Sequence, residues 1–490
     1  MKITKIIISL FLMCTLLLTS FGCSEIFENK ENESKESTKE SESITENSEN
    51  KESTKESESI TESSENNTES EPLSPEKQAL AYAAEKINLS NYDYEEEGYK
   101  EFINKLDTFA AKLTYAVYAD SDKESNICIS PVSVYMALAL ATECADGETR
   151  DEILNAVGVT YDEVKNFTKI LYARSNREYY HIDMMKDRKI LAFDELANSI
   201  WVDKDITLKE DGINNLANNF NCDLFSVNFK TSDGESAINA YIKDKTHGII
   251  DSDLDLSPLT LITLINTFYL KAVWNKDGDE LKFTDKTYVF NNTDGSVINT
   301  KLLQGYYFEG NIYQGEGYTS FYTRTKHSFD IKFIVPTDGH TIEEVFTEEN
   351  IYNINNLGDY GYIDEGNKLL HYTRVFFPEY KASFDGDLAD TLTNDFGINA
   401  LFDFKQCDFS NVTDERLACV GVIHKCSIDV NDKGIEGAAV TVMPMNEYGA
   451  GSLEGYEELY HDYIVDRAFG FVITDIYGTV LFSGVVNNVN

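Results

Sequence analysis

Histidine, cysteine, serine and carboxylate side chains build most catalytic and metal sites, and here they do not occur at the spacing of a known site. Neither an H-E-x-x-H nor a G-x-S-x-G pattern is present, and no glycine-rich loop suits phosphate binding. The seven histidines are scattered, and the 85 acidic residues are so numerous that a pair of carboxylates is not diagnostic. We therefore expect neither an enzyme nor a bound cofactor.

The eight cysteines predict neither a metal site nor a disulfide framework. Cys14 and Cys23 belong to an apolar leader, and the other six show no C-x-x-C spacing and no nearby histidine pattern. Most of these six lie in apolar runs, so we expect buried thiols, no zinc and no disulfide. They are Cys128, Cys144, Cys222, Cys407, Cys419 and Cys426.

One segment near the carboxyl terminus has a composition that suits two conformations. Residues 430–442 begin as a strand, break at Gly434 and continue through small and β-branched residues with almost no charge. Alternation places Ile435 and Ala439 on one mostly small face, which fits between two strands of a sheet. Residues 444–462 have the glycines and acidic residues of a long exposed loop. We predict a segment that is exposed in one state and a strand in another.

The flanks of this segment make it resemble the hinge and reactive-centre loop of the serpins. Upstream lie His424 and the run V-N-D-K-G at 430–434. Downstream lie D-R-A-F-G-F at 466–471 and T-V-L-F-S-G at 479–484. The resemblance extends from about residue 105 to the end of the chain, and its motifs are specific in combination.

The resemblance implies an α+β fold with a large mixed β-sheet, additional sheets, about eight or nine helices and an exposed reactive-centre loop near the C-terminus. It also implies a suicide-substrate inhibitor of serine or papain-like cysteine proteases, which traps the acyl-enzyme by inserting the cleaved loop into the main sheet. The alternative is a non-inhibitory, surface-binding lipoprotein of the same fold. The hinge positions that would enter the sheet are Gly434, Ile435, Glu436, Gly437, Ala438 and Ala439.

The same resemblance gives the reactive bond. Spacing from the hinge places it at Tyr448–Gly449, and because the loop is several residues longer than usual, Met445, Leu453 and Tyr456 are alternatives.

The loop composition restricts the target protease. Residues 434–466 contain no lysine or arginine, so a trypsin-like enzyme has nothing to cut. Chymotrypsin-like, subtilisin-like or papain-like enzymes, which accept aromatic or large apolar residues, fit better. We expect a monomer with such a protease as its partner.

Two segments predict the elements that would position the hinge. Residues 126–138 run from a short strand into a helix, with Ser130 as the cap and Pro131 at the first helical position. Residues 261–274 form an apolar strand that is too unbroken to lie at a sheet edge.

By resemblance, four residues of these and later segments form a hydrogen-bonded latch beneath the sheet, and a fifth, Trp274, marks the place where insertion begins. Asn266 and His424 would lie where the two middle strands separate, near Ser130 and Ser133. A buried asparagine and a buried histidine both need hydrogen-bond partners. The residues alone leave open that these are ordinary satisfied core groups.

The amino terminus predicts export. Lysines precede an apolar run at residues 6–18, and the run ends near Cys23 in the manner of a bacterial lipoprotein signal with a lipidated cysteine. Ordinary cleavage with secretion, and an uncleaved anchor, are the alternatives. We expect a cell-surface lipoprotein or a secreted protein.

Residues 24–75 predict an unfolded tether. The twelve residues 35–46 recur unchanged at 51–62, and the segment carries 16 acidic residues against five lysines. Such a sequence buries too little apolar surface to fold.

Residues 75–86 have helical periodicity and form an extra helix or part of the tether. Residues 76–490 then form one domain, whose acidity argues against nucleic acid, heparin-like polyanions and anionic membranes as partners.

Overall fold

The structure is a computed structural model that describes residues 80–81, 98–181, 189–251, 253–254, 256–274, 281–308, 312–325, 329–355, 363–364, 369–419, 421–435 and 457–489. All of them lie in the compact unit Glu69–Asn490. No helix within these ranges is long and apolar enough to span a membrane.

The described ranges contain nine α-helices. They are α1 Tyr99–Ala119, α2 Pro131–Cys144, α3 Gly147–Val157, α4 Tyr161–Arg174, α5 Glu210–Phe220, α6 Ser232–Lys245, α7 Ile342–Val345, α8 Glu348–Asn355 and α9 Ala389–Asn394.

The strands of the same ranges belong to four sheets. They are β1 Leu80–Ala81, β2 Ile127–Ile129, β3 Asn176–His181, β4 Lys189–Asp203, β5 Cys222–Val227, β6 Ile262–Val273, β7 Lys282–Phe283, β8 Tyr288–Asn291, β9 Val297–Thr300, β10 Leu303–Phe308, β11 Ile312–Gln314, β12 Tyr318–Arg324, β13 Asp330–Pro336, β14 Ile363–Asp364, β15 Leu369–Phe377, β16 Tyr380–Asp387, β17 Ile423–Asn431, β18 Gly434–Ile435, β19 Glu457–Ile464, β20 Phe469–Thr474 and β21 Val480–Val486.

The largest sheet has eight strands in the order β1-β5-β4-β6-β18-β17-β16, and β3 also pairs with β4. A six-stranded sheet has the order β11-β12-β13-β20-β21-β2. A five-stranded sheet has the order β14-β15-β10-β7, with β19 parallel to β15, and β8 pairs with β9. Parallel and antiparallel pairs occur together in the large sheet. The expected α+β fold with a large mixed sheet and additional sheets is therefore confirmed.

Helix α2 lies at the centre of the core because it is apolar almost all round. Pro131 occupies its first turn, and Ser130 precedes it in extended conformation. Its residues are buried on every face and pack with β6 and with the fully buried strand β21. The short strand β2 leads directly into α2. Because β2 is an edge strand of the six-stranded sheet, this connection places that edge beneath the large sheet.

Strand β1 differs from the sequence expectation. The periodicity of residues 75–86 predicts a helix or tether, but Leu80 and Ala81 pair antiparallel with Ser226 and Phe225 at the edge of the large sheet. The free edge of β5 supplies backbone hydrogen bonds that a local helical pattern cannot anticipate.

Candidate functional site

The large sheet contains a gap one strand wide between β6 and β17, which we call the seam. Only β18 lies in it among the described residues: Gly434 pairs with Val273 and Asn431, and Ile435 pairs with Ala272 and Val430. No register pairs β6 directly with β17 over the described parts of the two strands. β18 is antiparallel to both neighbours, so β6 and β17 run parallel to each other.

Gly434 occupies a position that admits no side chain. A Cβ atom built there would lie 2.1 Å from the carbonyl oxygen of Ala272. Ile435 follows with only 2% of its surface exposed, and it packs into the seam against β6 and β17. The sequence therefore places a glycine, the one residue type that fits, where the chain leaves β17 and turns into the seam.

Trp274 closes the same end of the seam, which we call the hinge end. Its indole is fully buried, stacks edge-on against Phe377 and donates from Nε1 to the carbonyl oxygen of Asn431 at 2.7 Å. The Leu281 amide donates to the carbonyl oxygen of Asp432 at 2.7 Å. Both bonds fix the turn between β17 and β18.

The predicted latch residues are only partly brought together. His424 is buried and its Nε2 accepts the Ser130 amide hydrogen at 3.1 Å. Asn266 instead faces β4 and donates from Nδ2 to Asn198 Oδ1 at 2.7 Å, while its own buried Oδ1 has no partner among the described residues. Ser130 and Ser133 line a cavity of about 20 Å³ in the middle of the seam.

The end of the seam farthest from the hinge, which we call the open end, contains a cavity of about 290 Å³. β6 pairs with β4 on one side, so the backbone groups on its other edge face the seam. Such an edge can receive an extended segment by strand addition. The lining includes Ile262, Leu264, Asn266, Asp387, Ile423 and Lys425.

Several predicted site residues lie outside the described residues. They are Cys23, Glu436, Gly437, Ala438, Ala439, Met445, Tyr448, Gly449, Leu453 and Tyr456. No three metal-ligating side chains lie together in the part of the chain that the structure describes.

Sequence reasoning missed Asn198, the residue to which Asn266 donates. The sequence did indicate this residue, because Asn198 is a polar residue in the buried apolar strand β4 and must find hydrogen-bond partners there. It donates in turn to the carbonyl oxygen of Phe220 at 2.8 Å.

Known proteins resemble the chain in both sequence and fold. The family model described as serpin (serine protease inhibitor) matches residues 104–489. An uncharacterized serpin-like protein of Methanosarcina acetivorans is 24% identical over 77% of this chain and 84% of its own. Iripin-3 of Ixodes ricinus is 25% identical over 75% of this chain and 90% of its own.

Among solved structures, the thermophilic serpin tengpin in its native state has a TM-score of 0.66 and 22% identity, and the match covers 84% of this chain and all of that one. Arabidopsis AtSerpin1, in a native stressed conformation, has a TM-score of 0.65 and 20% identity, with 81% of this chain and 99% of that one covered.

Proposed function

The chain belongs to the serpin family, whose members are mostly protease inhibitors, and we propose that it is a suicide-substrate inhibitor of serine or papain-like cysteine proteases. The observation that carries this proposal is the seam, which is one strand wide and already holds the first two residues of the hinge. An inhibitor of this kind needs both a vacant strand position and a segment poised to enter it.

The chemistry is performed by the protease on this chain. Its nucleophile attacks the exposed loop, the peptide bond breaks, and an acyl-enzyme forms. The freed segment that begins at Gly434 then enters the seam from the hinge end before water hydrolyses the ester. The attached protease is carried along and deformed.

The backbone ladder supplies the driving force. β6 spans 12 residues, of which Ala272 and Val273 already pair with β18, so most of its free edge is available. Each new hydrogen bond contributes roughly 0.5–1.5 kcal/mol, and about a dozen supply on the order of 10 kcal/mol. That equals the stability of an ordinary domain, which is about 5–15 kcal/mol.

The target protease prefers aromatic or large apolar residues. Residues 434–466 carry no lysine or arginine, and the reactive bond is Tyr448–Gly449, with Met445, Leu453 or Tyr456 as the alternatives. Chymotrypsin-like, subtilisin-like and papain-like enzymes fit this loop, and trypsin-like enzymes do not.

Incubation with chymotrypsin and with subtilisin tests the proposal, with trypsin as the matched control. We expect a denaturant-resistant band at the summed mass with one of the first two enzymes and none with trypsin. Protein clipped in the loop should melt at least about 10 °C higher than intact protein, because the seam has filled. Clipped protein that melts no higher and forms no complex would support the non-inhibitory, surface-binding alternative.

We also propose that the chain is exported and anchored through lipid on Cys23. The apolar run before Cys23 and the acidic repeat after it support this proposal. Labelled fatty acid should enter the wild-type protein and the Cys14→Ala control, but not Cys23→Ala. Equal labelling of all three proteins would contradict the anchor.

A further inference from the structure

Two buried thiols, Cys128 on β2 and Cys426 on β17, meet between the six-stranded and eight-stranded sheets. Their sulfur atoms are 3.4 Å apart, and the residues are 0% and 5% exposed. Closing this distance to a disulfide requires about 1.4 Å of movement. The two residues lie 298 positions apart in the chain, so only the fold brings them together.

The two thiols differ in how readily they ionise. Burial raises the pKa of Cys128 well above its usual value, and the neighbouring Cys426 adds to this effect. Burial also opposes ionisation of Cys426, but hydrogen bonds from Cys128 and His424 outweigh it and lower the pKa of Cys426 below its usual value. His424 accepts the Ser130 amide at Nε2, so its proton lies on Nδ1 and is available for donation.

A small cavity borders Cys426. This is the cavity of about 20 Å³ in the seam, which Ser130, Ser133 and Phe268 also line. A volume of about 10–15 Å³ holds one water molecule, so this cavity admits a molecule of similar size and excludes bulky thiol reagents.

We propose that Cys128 and Cys426 form a peroxide-responsive pair, in which Cys426 is the attacking thiol and Cys128 the resolving thiol. The Cys426 thiolate attacks hydrogen peroxide: an S–O bond forms, the O–O bond breaks, and the departing hydroxide takes up the thiol proton as water. Cys128 then attacks the sulfenic acid, an S–S bond forms, the S–O bond breaks, and a second water leaves. Two thiols are oxidised and one peroxide is reduced to two waters.

The disulfide would join β17, one wall of the seam, to β2, an edge strand of the other sheet. A cross-link between positions so far apart in sequence restricts the unfolded chain strongly, so the oxidised protein should melt roughly 3–10 °C higher than the reduced one. This reaction does not require loop insertion and is independent of protease inhibition.

Intact mass measurement and peptide mapping test the pair in the full chain. After treatment with hydrogen peroxide we expect the loss of two hydrogen atoms and one cross-linked peptide that contains both cysteines. Cys128→Ser and Cys426→Ser should not form it. The matched control Cys222→Ser alters another buried thiol, which donates to its neighbouring carbonyl at Asp223, and should form it normally.

Oxidised glutathione serves as the second oxidant in this experiment, because it is too large for the cavity. We expect it to close the bond at least tenfold more slowly than peroxide. Wild-type protein in which both thiols remain free to alkylate after peroxide treatment would overturn the proposal, whether or not the serine variants fold. Equal rates with the two oxidants would overturn the cavity as the route.

Discussion

The two ends of the seam differ in what occupies the space between β6 and β17. At the hinge end Gly434 and Ile435 fill the space, and Trp274 and Leu281 bind the turn that delivers them. At the open end a cavity of about 290 Å³ remains, and the Oδ1 atom of Asn266 has no partner in the described part of the chain. The proposed insertion would therefore begin at the hinge end, and the hydrogen bonds that it would add lie toward the open end.

The largest effect should follow a charge at the hinge end. Ile435→Arg places a cation in a nearly closed site between two strands, where an unpaired charge is strongly disfavoured. We expect the variant to be cleaved as a substrate, with the stoichiometry of inhibition raised at least tenfold, and to keep its fold because β18 can withdraw into solvent.

The control for this variant is Lys433→Arg, because Lys433 is exposed and lies just before the hinge. Its stoichiometry should match that of the wild type. Undiminished inhibition by Ile435→Arg would count against loop insertion as the mechanism.

Gly434→Ala should be the next largest change. The added Cβ meets the carbonyl oxygen of Ala272, so the first rung of β18 must separate, at a cost of roughly 2–3 kcal/mol in unfolding free energy. Urea denaturation measures this cost. Gly478→Ala is the control: its φ is +90° and its Cβ would meet nothing within 4 Å, so it reports backbone strain alone. Equal losses at the two glycines would show that the close approach to Ala272 is unimportant.

The hinge end was predictable from sequence because its requirements are local. A glycine after a strand, followed by small and β-branched residues, predicts a pivot and a segment that can enter a sheet, and in the structure Gly434 and Ile435 form β18. The role of Trp274 was implied by the resemblance to the serpins, and its indole donates to the turn before β18. The interior position of β6 followed from its unbroken apolar run, whereas the large mixed sheet was implied by the resemblance to the serpins.

The open end was less predictable because its contacts depend on register across strands. Asn266 pairs with Asn198 rather than with His424, since β4 and β6 align these two residues directly opposite each other. The contact between Cys128 and Cys426 likewise joins two sheets through residues far apart in sequence. The spacing of residues within one segment does not predict either of these contacts.

Trp274→Phe tests the bond that closes the hinge end. It removes the Nε1 donor and leaves the Asn431 carbonyl oxygen unpaired, which should cost about 1–3 kcal/mol. Trp201→Phe is the matched control, because Trp201 is equally buried and its Nε1 donates to Ser199 Oγ at 2.9 Å, away from the seam. Both variants should lose stability in urea, but only Trp274→Phe should change the rate of loop insertion after cleavage. A similar change of the insertion rate in both variants would show that Trp274 has no specific role at the hinge end.

The smallest effect should come from Asn266→Ala at the open end. The substitution removes the bond to Asn198 but also removes an unpaired buried oxygen, so the net loss should be about 1 kcal/mol or less. A double-mutant cycle sharpens this measurement. Asn266→Ala combined with Asn198→Ala should show a coupling of at least about 0.5 kcal/mol, whereas Asn266→Ala with His424→Ala should show less, because only the first two residues touch. A coupling above about 1 kcal/mol between Asn266 on β6 and His424 on β17 would instead join the two walls of the seam in one polar network.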